Sequence, residues 1–217
     1  MPEPNPRWVC LDVGETLIDE TRIWSIWADE LHIPRLTLFA TIGAVVAREG
    51  EHRDIFDIFG VTDWRSRVDV VEAAYGGFQP HDLYPDALPS IEELRRAGYR
   101  LAIIANQPAA RSAELRALGV DADVIAMSDE MGVAKPDLAF FERALDLMGR
   151  PAPADVAYVG DRVDNDVLPA MAAGLRSVWL RRGPWGIIQR LPDGERPALV
   201  VDSLDELVRR IDEAWEL

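Results

Sequence analysis

The segment WVCLD, residues 8–12, is a run of four apolar residues followed at once by a carboxylate, Asp12. Three later segments are also short apolar runs that end at polar residues: RLAIIAN (100–106), VAYVGD (156–161) and RSVWLRR (176–182). Apolar runs of this length are typical of strands buried on both faces, as in parallel sheets. These segments therefore predict a parallel sheet with polar residues at the carboxyl ends of its strands.

Amphipathic helical patterns separate the apolar runs. Segments 87–97 and 111–118 are examples, and Gly98 and Gly119 follow them where a helix commonly ends on a left-handed residue. Alternating strands and helices with short connections predict right-handed crossovers and a doubly wound, Rossmann-like α/β fold. Ligands of such sheets bind beyond the carboxyl ends of the strands, so we expect Asp12, Asn106 and Asp161 to face one site.

Residues 18–84 have a different character, with helical stretches and no strand-like run. The predicted helices cover residues 20–31, 35–48, 53–59 and 64–75, and they are separated by Pro34, Gly50 and Gly60. The Gly76-Gly77 pair ends the last of them. We therefore expect an all-α insert over residues 18–84 and an α/β core made of residues 1–17 and 85–217.

The composition excludes several classes of function. With 38 acidic and 23 basic residues the formal net charge is -15, which disfavours nucleic acid as a partner. The single cysteine, Cys10, excludes an intramolecular disulfide, and no apolar stretch approaches the ~20 residues that span a bilayer. We expect a cytoplasmic protein with no membrane segment. The oligomeric state is not predictable from the sequence.

Four segments together resemble the haloacid dehalogenase-like (HAD) superfamily of hydrolases, in particular members with a helical cap inserted after the first strand. They are VCLDVGETL (9–17), LAIIANQP (101–108), GVAKPD (132–137) and YVGDRVDNDVLPAMAAGL (158–175). The resemblance covers nearly the whole chain, and the last two segments match in order, spacing and flanking residues. It implies that the insert of residues 18–84 is a cap over the α/β core.

The resemblance also implies a mechanism and a metal. Asp12 would be the nucleophile that forms an aspartyl-phosphate, and Lys135 would pair with the phosphoryl group and with Asp12. A Mg²⁺ would be held by the carboxylates of Asp12 and Asp161 and the carbonyl of Gly14, with Asp166 as a ligand or as a partner of one. The expected activity is hydrolysis of a small phosphorylated molecule.

The chain departs from this pattern at two positions. Gly14 stands where HAD phosphatases carry a second aspartate that acts as general acid and base, a role worth about 10² to 10⁴ in rate. Ala105 stands where a serine or threonine hydroxyl is expected, so the substrate contacts are predicted to come from Asn106, Gln107 and nearby backbone N–H groups. Glu15 is a candidate substitute for the missing acid and base.

These departures keep other activities open. Haloacid dehalogenases of the superfamily need no second aspartate, although the acidic segment of residues 161–166 resembles a cation site that dehalogenation does not use. Phosphonate hydrolases need a cap lysine, and Lys135 is the only lysine of the chain. A catalytically feeble metal-binding protein whose cap serves recognition is the third alternative.

Overall fold

The computed structural model describes residues 6–216 and contains one six-stranded sheet with strand order β3-β2-β1-β4-β5-β6. Every neighbouring pair of strands is parallel. The strands are β1 (Trp8–Leu11), β2 (Arg100–Ala105), β3 (Val124–Met127), β4 (Val156–Gly160), β5 (Arg176–Leu180) and β6 (Leu199–Val201). The predicted doubly wound α/β fold is confirmed.

Eleven α-helices accompany the sheet in the described chain. They are α1 (Thr21–Glu30), α2 (Arg35–Val46), α3 (Asp54–Ile58), α4 (Val68–Tyr75), α5 (Ala87–Arg96), α6 (Arg111–Ala117), α7 (Ser128–Met131), α8 (Leu138–Leu147), α9 (Leu168–Ala172), α10 (Gly183–Ile188) and α11 (Leu204–Arg210). Gly98 and Gly119, predicted to follow helix ends, have φ of +93° and +89°. None of the helices between residues 6 and 216 is long and apolar enough to cross a bilayer.

The strands are buried on both faces, as their uninterrupted apolar character predicts. On β1, Val9 and Leu11 join one apolar cluster with residues of α5, α6 and α11, whereas Trp8 and Cys10 join a second cluster with residues of α8 and α9. Because successive side chains of a strand point to opposite faces, the apolar run supplies two cores at once. The sheet is therefore the middle layer of three.

Helices α1–α4 lie between β1 and β2 in the chain and have an apolar cluster of their own. Its buried members include Trp27, Leu38, Ile42 and Phe56, and the ring centroids of Trp27 and Phe56 are 4.9 Å apart. The cluster also contains Trp185 of α10, which comes from the far end of the chain and packs against α2. The division into a cap of residues 18–84 and a core stays a prediction, although the separate cluster supports it.

Candidate active site

Adjacent strand ends deliver the acidic residues to one edge of the sheet. Asp12 directly follows β1 and Asp161 directly follows β4, and these two strands are neighbours. From β1 the chain proceeds to β2 and β3 on one side and later to β4, β5 and β6 on the other. The gap between β1 and β4 is thus the switch point of the sheet, where doubly wound folds bind their ligands.

Three carboxylates converge at this switch point. Asp12, Asp161 and Asp166 are all buried, and each offers an oxygen that lies within 4.8 Å of the other two. Asp166 belongs to a single π-helical turn, Val163–Val167, that leads into α9. Its carboxylate lies so close to Gly160 that a side-chain carbon there would overlap it, so the strand must end on glycine.

Lys135 is the cation of the site. Its Nζ donates to Asp12 Oδ1 and to Asp166 Oδ1, both at 2.6 Å, and its side chain is only 2% exposed. Each charge in such a buried group depends on the others, because an ion removed from water needs a partner close by. Burial alone would lower the pKa of Lys135, but the ion pairs with Asp12 and Asp166 outweigh it and raise the pKa above its ordinary value.

Asn106, which directly follows β2, holds the backbone of Lys135. Its Oδ1 accepts from the Lys135 N–H at 2.8 Å and its Nδ2 donates to the Lys135 carbonyl at 2.9 Å. This pairing fixes the segment that carries the ammonium group. Gln107 is half-buried beside it, and its carbonyl accepts from the backbone N–H of Asp129 at 3.4 Å. Contact of Asn106 and Gln107 with a substrate stays a prediction.

The cluster has an excess of negative charge that a cation would relieve. Burial, together with the Asp166 and Asp12 carboxylates, raises the pKa of Asp161 well above its ordinary value, and burial raises the pKa of Asp12 against the opposing effect of Lys135. Asp161 Oδ2 is buried without any hydrogen-bond partner. An unpartnered buried carboxylate oxygen beside two other carboxylates is a donor set that suits a hard divalent cation.

Glu15 is buried and both of its oxygens are engaged. Oε2 accepts from the Tyr84 hydroxyl at 2.6 Å, and Oε1 accepts from the backbone N–H of Glu20 at 3.0 Å. Its backbone is left-handed, with φ of 50°, a conformation that costs a non-glycine residue energy. Burial raises its pKa. The contacts favour a structural role in the turn, and a role of Glu15 toward substrate stays a prediction.

Glu20 is a site residue that the sequence did not reveal. A Cβ added at Gly14 would lie 2.5 Å from Glu20 Oε1, so the Glu20 carboxylate lies directly beside the glycine. Burial, with the nearby Glu15 and Asp12 carboxylates, raises the pKa of Glu20 to about 7. Glu20 lies eight positions after Asp12 in the sequence, and only the shape of the intervening turn brings it to the site.

The chain belongs to the haloacid dehalogenase-like hydrolase family, whose family model matches residues 6–174. The predicted family is therefore confirmed.

Two curated relatives are phosphatases by name. The chain is 35% identical over 196 residues to a phosphoglycolate phosphatase of Aliivibrio fischeri, a match that covers 82% of this chain and 85% of the relative. It is 34% identical over 139 residues to a phosphoserine phosphatase of Thermus thermophilus, which covers 63% of this chain and 55% of the relative. With the Thermus protein, therefore, the chain spans only about half of the relative's length.

The fold is also that of solved HAD structures. A HAD hydrolase of Bacillus subtilis with bound magnesium superposes with a TM-score of 0.69 over 96% of this chain and 100% of the neighbour, at 18% identity. At this identity the likeness establishes the shared fold alone.

Proposed function

We propose that this protein is a Mg²⁺-dependent phosphatase that hydrolyses a small phosphorylated molecule through an aspartyl-phosphate at Asp12. The observation that carries the proposal is the buried group of three carboxylates and one ammonium at the switch point of the sheet. A buried polar cluster of this kind is costly to fold, and it suits a site that receives both a cation and an anion.

Asp12 is the proposed nucleophile. It directly follows the central strand β1, and the 2.6 Å contact with Lys135 orients its carboxylate. In the first half-reaction an Asp12 oxygen bonds to phosphorus as the bond from phosphorus to the leaving oxygen breaks. In the second, the oxygen of a water molecule bonds to phosphorus and the bond to Asp12 breaks. Lys135 offsets the negative charge of the transferred group in both.

Asp12, Asp161 and Asp166 fit Mg²⁺, because the buried Oδ2 of Asp161 lacks a partner and the three carboxylates outnumber the single ammonium. The Gly14 carbonyl is proposed as a further ligand. When bound, Mg²⁺ would neutralise charge on the phosphoryl oxygens. The same feature argues against the dehalogenase alternative, since attack on carbon with halide departure needs no cation at the carboxylates.

The named relatives support a small phosphorylated substrate, as phosphoglycolate and phosphoserine are both small phosphate monoesters. Selectivity is proposed to reside in the helical segment α1–α4, whose residues lie in the chain between the nucleophile and the rest of the sheet. A cytoplasmic location stays a prediction.

The test is phosphate release from acetyl phosphate, aryl phosphates and alkyl phosphates, with and without Mg²⁺. We expect release that needs Mg²⁺ and that falls by at least about 10³-fold in Asp12→Asn, because the amide is no nucleophile. A matched control is Asp193→Asn, which removes an exposed carboxylate and should leave the rate unchanged. Equal rates for the Asp12 variant and the wild type would contradict the proposed function.

A further inference from the structure

The space beside Gly14 is filled by a carboxylate from elsewhere in the chain. A Cβ at residue 14 would lie 2.5 Å from Oε1 and 3.1 Å from the carboxyl carbon of Glu20, which is well inside van der Waals contact. The Glu20 carboxylate therefore occupies the volume that a side chain of residue 14 would need. A carboxylate therefore lies beside residue 14, although residue 14 itself is a glycine.

The turn between residues 15 and 20 holds Glu20 there. Glu15 takes a left-handed backbone conformation and accepts from the N–H of Glu20, while its other oxygen is tied to Tyr84. Its side chain also packs so closely on Gly183 that a side-chain carbon at residue 183 would overlap it. Glu15 is thereby fixed from three directions, and it fixes the residue that precedes α1.

We propose that the Glu20 carboxyl group supplies the acid and base assistance that Gly14 cannot give. This inference rests on the proposed function. As the leaving oxygen departs from phosphorus it takes a proton from Glu20, and as water attacks the phosphoryl group on Asp12 it returns a proton to Glu20. The two transfers balance over one turnover, so no other proton source is needed.

Glu20 suits this role better than Glu15 for a geometric reason. Both oxygens of Glu15 accept hydrogen bonds from Tyr84 and the Glu20 amide, which holds that carboxylate within the turn. Glu20 instead directs its carboxylate to the position next to Gly14, two residues from the nucleophile.

The test is a leaving-group series of aryl phosphates of similar size, from 4-nitrophenyl to 4-methoxyphenyl, whose phenols become weaker acids along the series. For Glu20→Gln we expect kcat/KM to fall by about 10²-fold with the 4-methoxyphenyl ester and by less than about threefold with the 4-nitrophenyl ester. The matched control is Asp19→Asn, since Asp19 is the adjacent carboxylate and accepts from Thr21 N–H at the start of α1.

An equal loss on every ester, or no loss, would overturn the role of Glu20. Asp12→Asn separates this result from failure of the proposed function, because it should abolish release from every ester. If the wild type shows no Asp12-dependent release from any ester, the proposed function fails and the role of Glu20 fails with it.

A transposition variant gives an independent test. Glu20→Ala should show the selective loss and should leave room beside Gly14, so that adding Gly14→Asp returns a carboxylate to the same volume. We expect Glu20→Ala/Gly14→Asp to regain at least about tenfold in kcat/KM with the 4-methoxyphenyl ester relative to Glu20→Ala. A double variant no faster than Glu20→Ala would contradict the proposal.

Discussion

The site at the carboxyl edge of the sheet, hereafter the rim, consists of Asp12, Lys135, Asp161 and Asp166. It is built differently from the helical segment α1–α4. At the rim, Lys135 contacts Asp12 and Asp166 at 2.6 Å, and these three side chains are 11% exposed or less. Asp12 follows a buried strand, and Asp166 lies in a tight turn. The helical segment meets the rest of the chain through pairs such as Arg162–Glu51 and Arg111–Glu72, in which the glutamates are 58% and 39% exposed. The arginines of these pairs are 12% and 5% exposed, so each pair joins a largely buried cation to a more exposed carboxylate.

From this difference we expect the rim to be the more rigid of the two regions. The buried charges at the rim contact one another directly, whereas the helical segment meets the sheet region through partly exposed ion pairs and through the buried rings of Tyr75 and Trp185. We expect the helical segment to open for substrate and to close over the charge cluster to exclude water.

The largest effect is expected at Lys135. Lys135→Met leaves Asp12 and Asp166 buried without their cation, so we expect a loss of about 3–5 kcal/mol in the free energy of unfolding, measured in urea without Mg²⁺. Phosphate release should fall by about 10²–10³-fold. Arg150→Met is the control, because Arg150 is 81% exposed and should change stability by less than about 0.5 kcal/mol. Equal stabilities of the two variants would show that the rim is not held by its charges.

A pair of core truncations compares the two regions directly. Phe141 of α8 is fully buried against the sheet, and Phe56 is 2% exposed within the helical segment. Phe141→Ala should cost about 3–5 kcal/mol in global unfolding. Phe56→Ala should instead loosen the helical segment, raising KM and proteolytic cleavage within residues 21–75 while Mg²⁺ affinity measured by calorimetry stays unchanged.

Equal weakening of Mg²⁺ binding and of substrate binding in Phe56→Ala would contradict the expectation that the two regions respond separately. That result would mean that the helical segment and the rim are one cooperative unit.

The smallest effect is expected at His52, whose ring lies 5.6 Å from that of Trp24 and 6.1 Å from that of Trp185, where α10 meets the helical segment. Burial and the nearby Arg162 and Arg53 cations lower the pKa of His52 to about 4 from 6.5. Between these two pH values the unfolded chain binds a proton that the folded chain does not, so this group makes stability fall as the pH falls.

Between pH 6.5 and 4 the stability of His52→Gln should therefore fall less steeply than that of the wild type. The difference in slope should be a fraction of the ~1.4 kcal/mol per pH unit that one whole proton gives. The control is His32→Gln, since His32 is exposed. If His52→Gln and His32→Gln follow the same pH profile in chemical denaturation, His52 is not held neutral at the junction.

Four of the six strands, β1, β2, β4 and β5, were predicted with their polar ends because they follow from local rules, whereas β3 was not predicted. An apolar run of four to six residues indicates a buried strand at any place in the chain. Parallel strands bring their carboxyl ends to one edge of the sheet. Asp12 and Asp161 could thus be assigned to one site without knowledge of the tertiary structure. The helices between residues 20 and 75 were predicted within about two residues of most of their ends, because Pro34, Gly50 and Gly60 separate them.

Glu20 and Trp185 could not be predicted in this way. The place of Glu20 beside Gly14 depends on a left-handed residue at Glu15 and on contacts with Tyr84 and Gly183, which come from distant parts of the chain. Trp185 follows β5, yet it packs in the cluster of the helical segment. Both positions are set by tertiary contacts, which the periodicity of apolar residues along the sequence does not reveal.

The most direct test of Asp12 as the nucleophile is rapid quenching of the protein with ³²P-labelled 4-nitrophenyl phosphate and Mg²⁺, followed by peptide mapping. We expect transient, hydroxylamine-sensitive label on the peptide that contains Asp12, and no label in Asp12→Asn. Phosphate release in the first turnover with no label on that peptide, or label on another residue, would contradict an aspartyl-phosphate at Asp12.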